Sequence, residues 1–185
     1  MENAGIKEGP RGRLNKGLRV YLSEAAFMDI LLSSAEVYKK ECLGYLLGYN
    51  LEDRFIVEHA FNLQSANRRH RAVDLRKSYQ KKIEPILEKF HKLRIVGDYH
   101  SHTQYGDFKG RPVPSREDIE SMKTSRVYLI IAINNNSKTV LWGENKDGSI
   151  SGSVGRYFFK IAGYYLNGTA EPRKARIHCP FPPAL

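Results

Sequence analysis

The chain is expected to fold as one α/β domain, a mixed β-sheet flanked by helices. Three observations predict this. Short apolar or alternating runs recur at 18–22, 42–51, 54–63, 94–99 and 127–133, the pattern of strands half or wholly buried. Two segments between them carry apolar residues at helical spacing. The 185 residues are 41% hydrophobic, enough for one core that buries roughly two thirds or more of the extended-chain surface.

Taken in order, 1–16 is rich in Gly, Asn and Lys and reads as a poorly ordered arm before a domain spanning 17–179. Leu18 to Leu22 alternates as a short strand. Ser23 can cap the helix that follows, with Glu24 in its first turn. That helix is expected over 25–40, burying Phe27, Ile30, Leu31, Ala35 and Tyr38. Strands 42–51 and 54–63 should join through a turn at 51–53. Leu75, Tyr79, Ile83, Leu87 and Phe90 mark a basic amphipathic helix over 75–92, and Pro85 predicts a kink or two shorter helices. Strand 94–99 is followed by a short helix at 115–122 and by VYLIIAI, 127–133, the most buried strand. TVLWGE, 139–144, is expected to pair with it through a turn at 134–138. The segments VGRYFFKIAGYYL and RKARIHC should add strands, with a helix at 157–166 as the competing reading; 180–185 should be an extended tail.

Composition narrows the functional classes. No run approaches the ~18 apolar residues that span a bilayer, and 1–17 lacks the apolar stretch of a secretion signal, so a cytoplasmic location is expected. Cys42 and Cys179 are too few and too far apart for a disulfide framework or a zinc ribbon. Thirty Lys and Arg against 20 acids give a formal charge of +10, dispersed over Arg68–Arg71, Lys81, Lys82, Lys109, Arg111 and 173–176. Such a balance favours an acidic partner or is simply a solvated basic surface. Nucleic-acid binding is a secondary reading, because no zinc-finger spacing or aromatic RNP-like motif accompanies the charge.

The chemistry concentrates in GDYHSHTQYGDFKGRPVPSRED, 97–118. In a strand, residues i and i+2 share a face, so His100 and His102 can aim at one point while Ser101 points away. Two imidazoles suit a borderline cation such as Zn²⁺. Alone, such a pair also fits two surface histidines at a strand end, a cupin with Asp107 as its acid, or a barrel amidohydrolase, which needs a longer chain. A third ligand is sought in PSRED. Ser115 and Asp118 read as a helix capping box, and an acid in that first turn can also face a metal, making His100, His102 and Asp118 a set with an open fourth position. Glu41, at the end of KKE before the apolar run CLGYLLG, is the candidate general acid and base; its plain alternative is an exposed charge closing a helix.

Together, Glu41 with CLGYLLG, Ile95 to His102 ending Tyr-His-Ser-His, and Ser115-x-x-Asp118 resemble the JAMM signature of the JAB/MPN metalloprotease family, over roughly residues 18–145. The resemblance implies a fold like that of cytidine deaminases and a single zinc ion on His100, His102 and Asp118. It implies Glu41 as the residue that activates water, and Ser115 as the hydroxyl that steadies the oxyanion. Members of the family remove ubiquitin or related β-grasp proteins from lysine, and prokaryotic relatives process ubiquitin-like or sulfur-carrier proteins at their C-terminal glycines. The implied activity is therefore a zinc isopeptidase or peptidase; a non-catalytic MPN-type scaffold and a basic nucleic-acid-associated metalloprotein are the alternatives. One departure stands out: the loop between the second histidine and Ser115, 103–114, is longer than the family's usual spacing, and Thr103 replaces a proline. It is read as a variable loop beside the site, in contact with substrate or a passive insertion, with Asp107 able to approach the metal. His59, His70, His91 and His178 lack motif context and are read as structural or surface residues.

Overall fold

The computed structural model describes residues 17–63, 77–90 and 93–180, with side chains from 81 onward in the second stretch. The expected arm 1–16, the basic run 68–71, His70, His91, the ends of the 75–92 segment and the tail beyond 180 lie outside the described residues. In chain order the elements are β1 (Arg19–Leu22), α1 (Glu24–Glu36), β2 (Leu43–Leu51), β3 (Arg54–Asn62), α2 (Lys77–Leu87) and β4 (Arg94–Thr103). They continue with α3 (Arg116–Ser121), β5 (Val127–Asn135), β6 (Gly143–Glu144), β7 (Ile150–Val154), β8 (Tyr157–Leu166) and β9 (Pro172–His178).

The expected mixed sheet is present. Its order is β5-β4-β2-β3-β1-β9-β8-β7-β6, and β5 also pairs with β8, so seven strands close into a barrel-like ring from which β7 and β6 branch. β1 runs parallel to β3 and β9, and β4 parallel to β5; the other pairs are antiparallel. Val20, Phe27, Ile30, Leu46, Val57, Leu129, Ile131 and Ile161 belong to the main core inside this ring. β2 is buried on both faces because its alternate residues Leu43, Tyr45 and Leu47 pack outward with Leu63, Ile83, Leu87 and Ile95. Gly44 has no side chain because Tyr99 lies over it: a Cβ there would stand 2.2 Å from the Tyr99 ring.

Several local expectations change. The first helix stops at Glu36 rather than residue 40. Tyr38 leaves the helix, accepting a hydrogen bond from the Asn135 backbone N–H at 3.0 Å and packing against the Tyr157 ring. Tertiary contacts there outweigh helical propensity. Ser33 and Ser34, unremarkable in the sequence, are buried on α1, while Leu31 and Ala35 are only partly buried against the core. α2 runs through Pro85 as one element, since the proline falls in the last turn, where little helix remains to be broken. The expected pairing of 139–144 with 127–133 does not form. β5 is flanked by β4 and by β8, whose residues 157–165 match it along its full length. Val140 turns instead to Ser153, donating its N–H to the Ser153 Oγ at 2.7 Å. The helical alternative for 157–166 is thereby excluded, because that segment is β8. Among the described residues, no helix is long and apolar enough to cross a membrane.

Candidate metal centre

Strand alternation carries the histidines to the site. β4 puts Asp98, His100 and His102 on one face, and β5 alongside it is buried from Val127 to Asn134. Ser101, on the other face, is wholly buried and accepts the Cys42 backbone N–H at 2.9 Å. The Ser101 N–H in turn donates to the Cys42 carbonyl at 3.1 Å. These two bonds pin the chain immediately after Glu41 to the strand bearing the histidines.

α3 supplies the acid. Ser115 caps it, its Oγ accepting the Asp118 N–H at 3.1 Å, and Asp118 Oδ2 accepts the Ser115 N–H at 2.7 Å. The capping box and the ligand role are compatible, because Asp118 Oδ1 still faces His100 Nε2 at 3.4 Å. His100 Nε2 and His102 Nε2 are 3.1 Å apart, and Asp118 Oδ2 is 3.8 Å from His102 Nε2. One ligand atom from each of the three residues lies within 4.8 Å of the others, as a shared cation requires. Among the described residues they form the one such group, and Asp107, exposed in its loop, stands outside it.

Two nitrogen lone pairs and a carboxylate pointed at one spot repel each other unless a proton or a cation lies between them. The donor set, two imidazoles and one carboxylate, fits zinc or a similar borderline ion. The hydrogen bonding of His102 also fits. Its Nδ1 lies 2.8 Å from the Arg111 carbonyl, which can only accept. The proton is therefore on Nδ1, and Nε2 keeps its lone pair for the site.

Glu41 is 8% exposed. Burial pushes its carboxyl up to about 7; the positive charge of His100 opposes the rise and the charges of Asp118 and Glu117 add to it. The sequence alternative of an exposed helix-end charge is not what the fold shows. For Asp118, burial works against ionisation, but His100 and Ser115 outweigh it and hold the carboxyl well below the usual carboxylate range. Burial likewise disfavours the charged form of His100, yet Asp118, Asp98 and Glu41 leave its pKa raised. Burial and the neighbouring His100 lower that of His102.

Sequence reasoning passed over Asp98. It is 6% exposed, and burial raises its carboxyl to about 7 against the pull of His100, Arg126 and Lys123. The signal was available: Asp98, His100 and His102 follow the same two-residue period. Of the other histidines, His59 is exposed on β3, and His178 stacks on Tyr21 with ring centroids 5.0 Å apart.

A groove of about 760 Å³ lies between α1 and the end of β3, lined by Leu32, Ser33, Glu36, Ala60, Phe61 and Asn62 among others. β1 pairs with β3 only as far as Val57, so among the described residues the remainder of that edge has no strand partner. Asn62 is opposite Gly44, which is opposite Tyr99, so the groove ends two strands from the histidines.

Comparison with known proteins agrees with this geometry. Protein DSY2949 from Desulfitobacterium hafniense shares the fold, with a TM-score of 0.61 at 17% identity over 86% of this chain and 92% of that one. No curated protein matches the chain. The family described as JAB1/Mov34/MPN/PAD-1 ubiquitin protease matches residues 15–125, which hold Glu41, both histidines, Ser115 and Asp118. With more than half its length matched and the His-His-Asp group assembled, the chain belongs to the JAB/MPN family.

Proposed function

We propose that this protein is a zinc-dependent isopeptidase or peptidase that cleaves a ubiquitin-like β-grasp protein, or its conjugates, at or after the C-terminal glycines. The observation that carries the reading is the convergence of His100, His102 and Asp118 beside a buried Glu41. One zinc ion held by the three ligands would supply Lewis acidity to a scissile carbonyl and to an attacking water. Glu41 takes the proton from that water and returns it to the leaving amine. A carboxyl raised toward neutrality is suited to both tasks. Ser115, exposed at the start of α3, offers its hydroxyl to the oxyanion.

The substrate's tail is held as an added strand on a sheet edge. Glycines suit the last steps toward the ligands, since an extended chain without side chains can pass close to the metal. Cys42 and Cys179, both buried and not joined in a disulfide, suit a reducing cytoplasm.

The test is incubation with β-grasp fusions carrying either a lysine-linked or a linear extension, with and without chelator, read by intact mass. Release at the terminal glycine that stops with chelator is expected. Intact fusions of both kinds under zinc-replete conditions would overturn the reading.

A further inference from the structure

We propose that the long loop 103–114 is a built part of the metal centre rather than a passive insertion, and that Asn134 is the positioning residue that sets it. By holding Gly110, Asn134 presents the Arg111 carbonyl to His102 and locks that ring with its Nε2 toward His100 and Asp118. The inference deepens the metal reading above and rests on it.

The base of the loop is fastened at three successive residues, each by a side chain from a different strand. Asn134, on β5 and 5% exposed, accepts the Gly110 N–H through Oδ1 at 2.7 Å and donates Nδ2 to the Gly110 carbonyl at 3.2 Å. His102, on β4, donates Nδ1 to the Arg111 carbonyl at 2.8 Å. Tyr164, on β8, donates its hydroxyl to the Pro112 carbonyl at 2.8 Å. Two bonds from one planar amide fix both the position and the orientation of the Gly110 backbone. Proline after Arg111 narrows the backbone of Arg111 toward extended conformations, so its carbonyl has little freedom left.

Gly110 is needed for the approach. A Cβ there would stand 2.2 Å from the His102 carbonyl oxygen, so the loop backbone lies directly against the backbone of the metal ligand. The tip behaves differently: Phe108 is 79% and Tyr105 61% exposed. The loop is thus two devices in sequence, an exposed tip and a base clamped to the site. Imidazole ligands are oriented by whatever accepts their second nitrogen, and loss of that partner typically weakens metal binding or activity about 10–100-fold.

Three variants test this: Asn134→Leu, which removes both bonds to Gly110, Gly110→Ala, which forces the loop outward, and Phe108→Ala at the tip. The His102 tautomer is read in metal-free protein by long-range proton–nitrogen correlation of ¹⁵N-labelled histidine. Zinc affinity is read by competition with a chromophoric chelator. Wild type and Phe108→Ala should show one tautomer, protonated at Nδ1, and equal affinity. Asn134→Leu and Gly110→Ala should show mixed tautomers and affinity about 10–100-fold weaker. If Asn134→Leu does not fold, Gly110→Ala decides, because its strain falls in the loop. An unchanged tautomer and affinity in a folded clamp variant would overturn the proposal. Should wild type itself bind no zinc, the metal reading fails, and the tautomer comparison alone decides whether the clamp orients His102.

Discussion

Two places in the molecule set a histidine against a carboxylate, and they differ in kind. On one side of the sheet, His178 Nδ1 of β9 lies 3.1 Å from Glu144 Oε1, and Arg176 approaches the other oxygen at 3.7 Å. Glu144 is half exposed there, and His178 rests its ring on Tyr21. Water can complete whatever the pair leaves unsatisfied, so it is a rim contact of small consequence. At the other place two imidazoles and a carboxylate converge, with Glu41 and Asp98 buried nearby. Proximity of His to an acid is therefore not the sign of a metal centre. The sign is several donors aimed inward at one point, with His102 Nδ1 and Asp118 Oδ2 already bonded to the backbone behind them.

The largest expected effect separates the two places by their response to losing a histidine. His102→Ala should lose nearly all bound zinc and with it turnover, whereas His178→Ala should keep both; full zinc occupancy of His102→Ala by elemental analysis would dissolve the distinction. Next, Glu41→Gln should retain zinc while turnover falls about 10²–10⁴-fold. Comparable activity in that variant would remove Glu41 from the mechanism. Ser115→Ala should lower turnover on the order of 10²-fold if its hydroxyl faces the oxyanion. It also loses the cap of α3, worth about 1 kcal/mol, so a fall in stability with unchanged turnover would reduce Ser115 to a cap.

A smaller effect is read in pH. Glu41 and Asp98 both bind protons more tightly in the folded chain than in the unfolded one, rising from 4.5 and 3.8 to about 7. Between those limits the folded state holds protons the unfolded state has released, so their contribution to stability declines as pH rises from about 4 to about 7. For Glu41 the full shift corresponds to roughly 3 kcal/mol. Asp118, shifted downward, acts oppositely and lower on the scale: its stabilisation is complete above the unfolded value and is lost in acid. Metal-free Glu41→Gln should therefore lose less stability than wild type between pH 5 and 7.5 (about 2 kcal/mol less) in denaturant titrations. Parallel slopes would mean Glu41 is better solvated than the fold suggests. The smallest effect belongs to the rim: Glu144→Gln should change stability by less than about 1 kcal/mol.

Much of this was legible along the chain. Short alternating or continuous apolar runs announced β1 to β5, because a strand's burial is written in its own residues. Ser23 and the Ser115/Asp118 box marked two helix starts for the same local reason. The spacing of His100 and His102 fixed which way both rings face, and the order of Glu41, the histidine pair and Ser115-x-x-Asp118 pointed to the family that the comparison confirms. What lay beyond reach were partners distant in sequence. The first helix ends early because Tyr38 is engaged with Asn135 and Tyr157, more than ninety residues on. TVLWGE lost its expected place because β8 matches β5 over a longer register.

The sequence by itself determined the local conformations, the donor types and the face each donor occupies, since these depend on neighbours within a few residues. Only the tertiary structure decided that Glu41 is buried beside His100 and Asp118, that Asp98 shares their face in isolation from solvent, and that Asn134 and Tyr164 hold the loop against His102. Those relations come from pairings between strands distant in sequence: β2 against β4 brings Glu41 to the histidines, β5 beside β4 brings Asn134 to the loop, and closure of β5 onto β8 adds Tyr164. No pattern within any one strand encodes which edge it will meet.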